Sequence, residues 1–139
     1  MTKVDTPTHV YHDDHTQAPA DRIFVFGSNL AGFHGAGAAL AALNYYNCRM
    51  GVAEGRSGRS YAIPTKDKRI VTLPMEDIIE SIARFTLYTQ MNPDLKFFVT
   101  RVGCGLAGLK DKDVAPFFFE AINCSFAKEW KPYIQDMFK

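Results

Sequence analysis

The sequence predicts a three-layer α/β/α domain built on a mixed central sheet. Three observations predict it. Two apolar runs, residues 23–26 (IFVF) and 95–101 (LKFFVTR), each lead into a glycine-rich loop and then a helical stretch. Residues 75–91 repeat Met75, Ile78, Ile79, Ile82 and Phe85 at helical spacing, the pattern of an amphipathic helix. The predicted order, β-α-β-β-α-β-α, puts helices on both faces of a sheet.

Composition narrows the class. A chain of 139 residues suits one domain with its own core. Hydrophobic residues make up 47% and charged residues 22%, as in ordinary globular proteins. A net charge of +1 gives no global attraction to nucleic acid or to an anionic membrane. No apolar run approaches the ~20 residues that span a bilayer. The N-terminus, MTKVDTPTHVYHDDHT, has no apolar signal core. The expectation is a cytoplasmic protein without a membrane partner. Cys48, Cys104 and Cys124 have no CxxC spacing and read as reduced thiols, with neither a disulfide frame nor a zinc site.

Residues 1–21 form a polar arm without periodicity, expected to be partly ordered. His9, His12 and His15, with Asp13 and Asp14, fit no closed metal site and read as a solvated tail. The alternative is that the arm folds over a ligand cleft or a partner subunit. The domain proper is expected over residues 22–139. No metal and no cofactor are expected, and the sequence does not give an oligomeric state.

Consecutive apolar residues at 23–26 mark a strand buried on both faces, as in an inner parallel strand. After the loop at 27–37, alanines favour a helix from Ala36 or Gly37 to Tyr46, with Asn47 as its stop. Residues 48–60 (CRMGVAEGRSGRS) read as a loop, whose arginines either cover a phosphate or face solvent. Residues 61–65 (YAIPT) form a strand that Pro64 ends or pushes to an edge. Residues 69–72 (RIVT) form another short strand. Pro74 suits the first turn of the helix over 75–91, Glu76 and Asp77 complement its dipole, and Asn92-Pro93 ends it. Residues 95–101 are the second central strand. Residues 114–122 form the next helix, with Pro116 in its first turn. Residues 124–139 pack on the sheet edge as either a short helix or a strand.

Both glycine loops leave the carboxyl ends of strands, where open α/β sheets bind ligands. Glycine lets backbone N–H groups approach a phosphate, and a helix N-terminus adds unpaired donors. Gly35, Ala36 and Gly37 form one candidate anion site, and residues Gly103, Cys104, Gly105, Leu106, Ala107 and Gly108 form the other. Two such loops point to a nucleotide-like ligand. No GxxxxGK[ST] string is present, which excludes a P-loop by pattern. The string Gly103-x-Gly105-x-x-Gly108 follows a strand, but no acidic residue waits ~20 residues on, so a dinucleotide fold ranks low.

At these residues the chain resembles a macrodomain, the ADP-ribose-binding fold, over residues 22–123. Asn29 after the first strand, with Gly35-Ala36-Gly37 opening a helix, resembles the macrodomain's first ligand loop. Arg101-Val102-Gly103-Cys104-Gly105-Leu106 resembles the phosphate loop of the terminal ADP-ribose glycohydrolase branch, and Lys66 in Ile63-Pro64-Thr65-Lys66 falls on that branch's nucleophilic lysine. The strings SNLAG (with Ser28), GAGAA, YAIPTKD and GCGLAG are similar to those of small phage-associated macrodomain-like proteins. The resemblance implies that Ser28, Asn29, His34 and both glycine loops contact ADP-ribose, with Lys66 near the anomeric carbon. It also implies two rival activities. One is sequestration of a linear or cyclic ADP-ribose signal in host defence. The other is hydrolysis of ADP-ribosylated protein or nucleic acid by Lys66.

The chain departs from that branch at one position. Where the glycohydrolases carry an aspartate after GCGL, this sequence has Ala107. Asp67 is either a substitute carboxylate or a surface residue. Cys104 is either a nucleophile or a small loop filler. Asn29 orients a ribose hydroxyl or caps the loop backbone. His34 bonds the ligand or faces solvent. In a third reading the chain is a protein-interaction module whose glycine loops are only structural.

Overall fold

The computed structural model describes residues 9–134. Six strands form one sheet in the order β1-β6-β5-β2-β4-β3: β1 (Val10–His12), β2 (Ile23–Asn29), β3 (Gly55–Ser57), β4 (Ser60–Lys66), β5 (Phe97–Val99) and β6 (Cys124–Ala127). All neighbouring pairs are parallel except β3 with β4, so the sheet is mixed. The helices are α1 (Gly37–Tyr45), α2 (Met75–Met91), α3 (Asp111–Val114) and α4 (Lys131–Ile134).

Alternation along β2 builds two cores. Ile23 and Val25 face one side with Ile63, Phe97, Val99 and Phe126, under Ile78, Ile82 and Phe85 of α2, with Trp130 fully buried nearby. Phe24 and Phe26 face the other side with Ala62 and Phe98, under Ala39 and Ala42 of α1. A strand buried on both faces needs apolar residues at consecutive positions, as 23–26 have. The alanine-rich α1 lets its backbone lie close on this face. The result is three layers, as the element alternation predicts.

Several elements differ from the sequence reading. Residues 69–72 form a turn, with an isolated bridge between Lys66 and Thr72, instead of a strand. Asp67 supplies the turn's side-chain acceptor, which overrides the β-propensity of Ile70 and Val71. Pro64 neither ends β4 nor moves it to an edge. It lies two residues beyond Ala62, the last residue that β3 pairs, so no ladder with β3 is broken there. The expected helix over 114–122 is instead α3 followed by a 3-10 segment, Ala115–Phe118. Pro116 lacks the N–H that an α-helical turn would use. The segment expected as loop between 48 and 60 contains β3, and the strand expected over 95–101 is assigned only to Phe97–Val99. Residues 124–134 resolve the open alternative as a strand inside the sheet followed by α4.

The arm contributes structure from residue 9 onward. β1 pairs with β6 from Val10↔Ser125 to His12↔Ala127. His9 Nε2 lies 3.1 Å from the Phe119 carbonyl, and His12 Nδ1 lies 2.7 Å from Ser125 Oγ. Ala18 is buried, and its N–H donates to Tyr46 Oη at 2.9 Å. Residues 1–8 lie outside the described ones. No group of three or more His, Cys, Asp or Glu side chains among the described residues is placed to hold a metal ion. None of the described helices is long and apolar enough to cross a membrane.

Candidate ligand cleft

The carboxyl ends of β1, β2, β4 and β5 open into one cleft of about 850 Å³. The parallel strands dictate this. Each must hand its chain to a crossover at the same end, so the loops after each strand converge there. Ser28 and Asn29 at the end of β2, Lys66 at the end of β4, and Gly103 to Ala107 beyond β5 all line it. Gly35, Ala36 and Gly37 line it from the start of α1.

The two glycine loops meet at the end of β2. A Cβ at Gly27 would stand 3.3 Å from the Gly103 nitrogen, and one at Gly37 would stand 3.4 Å from Leu106 Cδ1. Gly103 and Gly108 have φ of +77° and +75°, the left-handed region that side chains disfavour. Leu109 N–H returns to the Gly103 carbonyl at 2.9 Å and closes the second loop on itself. Opposite, α1 begins with no side-chain cap and no acidic residue in its first turn. Its first N–H groups are therefore open to the cleft, with the positive end of the helix dipole behind them.

One end of the cleft is aromatic. Tyr46 stacks on Phe24 at 4.2 Å and 8°, Phe24 lies 6.2 Å and 14° from Phe98, and His12 stacks on Phe98 at 3.7 Å and 17°. All four rings line the cleft, together with Ala38, Ala39 and Ala41 of α1. Sequence reasoning missed this wall. Phe24 and Phe98 carry its signal, because alternation puts both on the face that α1 covers. His12 belongs to a segment without any period.

Asp14, His15, Thr16 and Gln17 of the arm line the cleft too. Arg101 fixes them. Its Nε and Nη2 donate to the two carboxylate oxygens of Asp111 at 2.9 and 2.5 Å, and Nη1 donates to Asp14 Oδ2 at 3.1 Å. Trp130 Nε1 donates to Asp111 Oδ1 at 2.7 Å. Burial alone would push the Asp111 carboxyl up, but hydrogen bonds from Arg101, Trp130 and Cys104 outweigh it and hold the group below its usual range.

The other expected site residues divide. Asn29 lines the cleft, but its amide caps the loop: Nδ2 donates to the Phe33 carbonyl at 2.8 Å and Oδ1 accepts from the Phe33 N–H at 3.0 Å. Ser28 Oγ donates to the Ala53 carbonyl. His34 neither lines the cleft nor faces solvent. It is fully buried, edge-on to Phe26 at 5.4 Å, and both ring nitrogens lack a partner among the described residues. Gly108 does not line the cleft; it is exposed, and its N–H donates to the Gly105 carbonyl at 3.0 Å. Asp67 is not in the wall, because its Oδ1 accepts from the N–H groups of Arg69 and Val71 at 2.8 and 3.0 Å. Of the arginines in residues 48–60, Arg59 reaches the Pro19 and Arg22 carbonyls and Arg56 the Gly58 carbonyl, and neither lines the cleft.

Cys104 lines the cleft beside Asp111. Burial first, and then the adjacent carboxylate, push its thiol up to about 12. A thiol so placed stays protonated at neutral pH and is a poor nucleophile.

No protein-family model and no curated protein matches the sequence. Solved structures match in fold, two of them as follows. A Thermosipho africanus DarTG in complex with ADP-ribose aligns with a TM-score of 0.57 at 14% identity, over 78% of this chain and 38% of that one. This chain thus spans less than half of that protein. The macrodomain of Mycobacterium tuberculosis DarG aligns with a TM-score of 0.59 at 19% identity, over 87% of this chain and 97% of that one. The chain therefore has a three-layer, macrodomain-like fold.

Proposed function

We propose that this chain binds ADP-ribose, or a related linear or cyclic NAD-derived nucleotide, in the cleft. The observation that carries the reading is the uncapped start of α1 facing the left-handed glycine loop across the end of β2. Two sets of free backbone N–H groups suit a diphosphate, which needs many donors and tolerates no intruding side chain. The aromatic end, with Phe24, Tyr46 and Phe98, suits a base. Asn29 and Lys66 then sit at the distal ribose. The DarTG structure, which shares the fold, is a complex with ADP-ribose, and this supports the same ligand class.

A binder at sufficient concentration lowers free ligand by mass action and needs no turnover. Sequestration of a host-defence nucleotide is the role we assign to that binding. The test is calorimetric titration with ADP-ribose, NAD and cyclic ADP-ribose isomers, followed by chromatography of the recovered ligand. Saturable binding with intact ligand supports sequestration. No binding of any of the three removes the reading.

One observation favours a second reading. Lys66 lines the cleft, and in sequence it resembles the lysine of the glycohydrolase branch. Release of ADP-ribose from a conjugate, lost in Lys66→Ala, supports hydrolysis. The carboxylate such a step needs for proton transfer is not at position 107, and that of Asp67 is occupied by its own turn.

A further inference from the structure

We infer that Ile70 is a ligand-clamping residue, held in a strained backbone conformation by the Asp67 turn so that its side chain closes the cleft at the Lys66 end. The inference rests on the nucleotide-binding reading and names a contact beyond the glycine loops. Ile70 has φ of +64°. Four non-glycine residues among the described ones have positive φ: His15, Asn47, Ile70 and Asn123. Asparagine and histidine tolerate that region, whereas a β-branched side chain is its worst occupant. Glycine or asparagine would make the same turn without strain.

The turn is firmly built. Asp67 N–H donates to the Val71 carbonyl at 2.7 Å and Ile70 N–H donates to the Asp67 carbonyl at 3.0 Å. Asp67 Oδ1 accepts from Arg69 and Val71. Thr72 Oγ1 donates to the Ala107 carbonyl at 2.8 Å, which ties the turn to the second glycine loop. The carboxylate next to Lys66 therefore positions Ile70.

Packing within the fold does not explain the isoleucine. Its side chain is 49% exposed, yet it lines the cleft. Phe33 and Leu106, from the two glycine loops, also line the cleft and are 60% and 70% exposed. Three loops thus each present a large, exposed apolar side chain along the one cleft. Strain maintained at an exposed position marks function, since the fold alone gains nothing from it. A nucleotide held by backbone N–H groups supplies the missing partner. Apolar cover over its sugar excludes water and strengthens each N–H to phosphate bond.

The test compares wild type, Ile70→Gly and Ile70→Leu by thermal melting without ligand and by calorimetry with ADP-ribose. Ile70→Gly is expected to melt about 3 °C higher, because the strain is relieved, and to bind ADP-ribose about tenfold more weakly. Ile70→Leu is expected to keep wild-type affinity within about threefold, because the apolar bulk remains. Unchanged affinity in Ile70→Gly overturns the clamp and leaves the binding reading standing. A lower melting temperature in Ile70→Gly overturns the strain argument. Wild type that binds no ADP-ribose overturns both readings together.

Discussion

Arg101, which lines the cleft, and Asp111, the first residue of α3, form a two-pronged ion pair, with Nε–Oδ1 at 2.9 Å and Nη2–Oδ2 at 2.5 Å. The third guanidinium nitrogen carries the connection to the arm through Asp14. The planar fork can serve both acids at once, and a lysine cannot. Arg101→Lys should cost about 1–2 kcal/mol of stability, since a paired, half-buried acid loses its fork. It should also raise hydrogen exchange and proteolysis in residues 13–17. Denaturant melts with exchange mass spectrometry check this, and unaltered exchange in the arm would count against the latch.

The glycines of the second loop separate folding from binding. A Cβ at Gly103 would stand 2.6 Å from Leu109 Cδ1, at a φ of +77°. Gly103→Ala should therefore cost about 1–2 kcal/mol whatever the ligand does. Gly105 has open space around its missing Cβ and no positive φ. Gly105→Ala should leave the melting temperature of the free protein unchanged. If the loop cradles a diphosphate, it should weaken nucleotide binding by about tenfold, since one methyl stands where an oxygen approaches. A loop that is only structural would show no change in either measurement.

Acid should loosen the arm before it unfolds the sheet. Burial lowers the pKa of His12 to about 4, against the opposing charge of Asp14, and burial also lowers that of His9. The unfolded chain takes up these protons near 6.5 and the folded one only well below. Between those values the unfolded state binds more protons, so stability falls as the pH falls. The full contribution is present above about pH 6.5 and, for His12, is lost as pH falls through about 4. His12→Gln should flatten the fall in melting temperature between pH 7 and pH 4.5. An unaltered slope would place the effect on other groups.

The sequence showed the parts of the fold that repeat. Consecutive apolar residues at 23–26, the period of 75–91 and the glycines after two strands locate the central sheet, α2 and the cleft. Lone side chains decided the rest. Asp67 turned an apparent strand, RIVT, into a tight loop by accepting two N–H groups, and such capture leaves no period to read. β1 is only three residues long, and its place beside β6 depends on a partner more than a hundred residues away. Asn29 was legible as a candidate cap for the loop backbone, but not as the last residue of β2 that grips both backbone groups of Phe33. The burial of His34 shows the same limit: a polar residue between Phe33 and Gly35 reads as exposed unless Phe26 is known to lie beneath it.

Cys104 and Lys66 both line the cleft, and thiol labelling tells them apart as nucleophiles. Cys104 sits beside the Asp111 carboxylate, with its thiol pushed up to about 12. Its thiolate fraction at pH 7.5 is then about a hundredfold or more below that of an ordinary cysteine. Cys48 and Cys124 are buried, with 5% and 1% exposure, so native protein should react slowly with iodoacetamide at every thiol. Mass spectrometry of the intact protein reads this directly, and rapid single labelling at Cys104 would restore it as a nucleophile. Cys104→Ala should leave nucleotide affinity within about twofold, because the loop donates from its backbone. Under the hydrolytic reading, Lys66, which lines the cleft, is then the candidate nucleophile. Any turnover detected should disappear in Lys66→Ala and survive in Cys104→Ala. Turnover that survives Lys66→Ala would sink the lysine mechanism, whereas no turnover in either protein leaves a cleft that binds and releases its ligand intact.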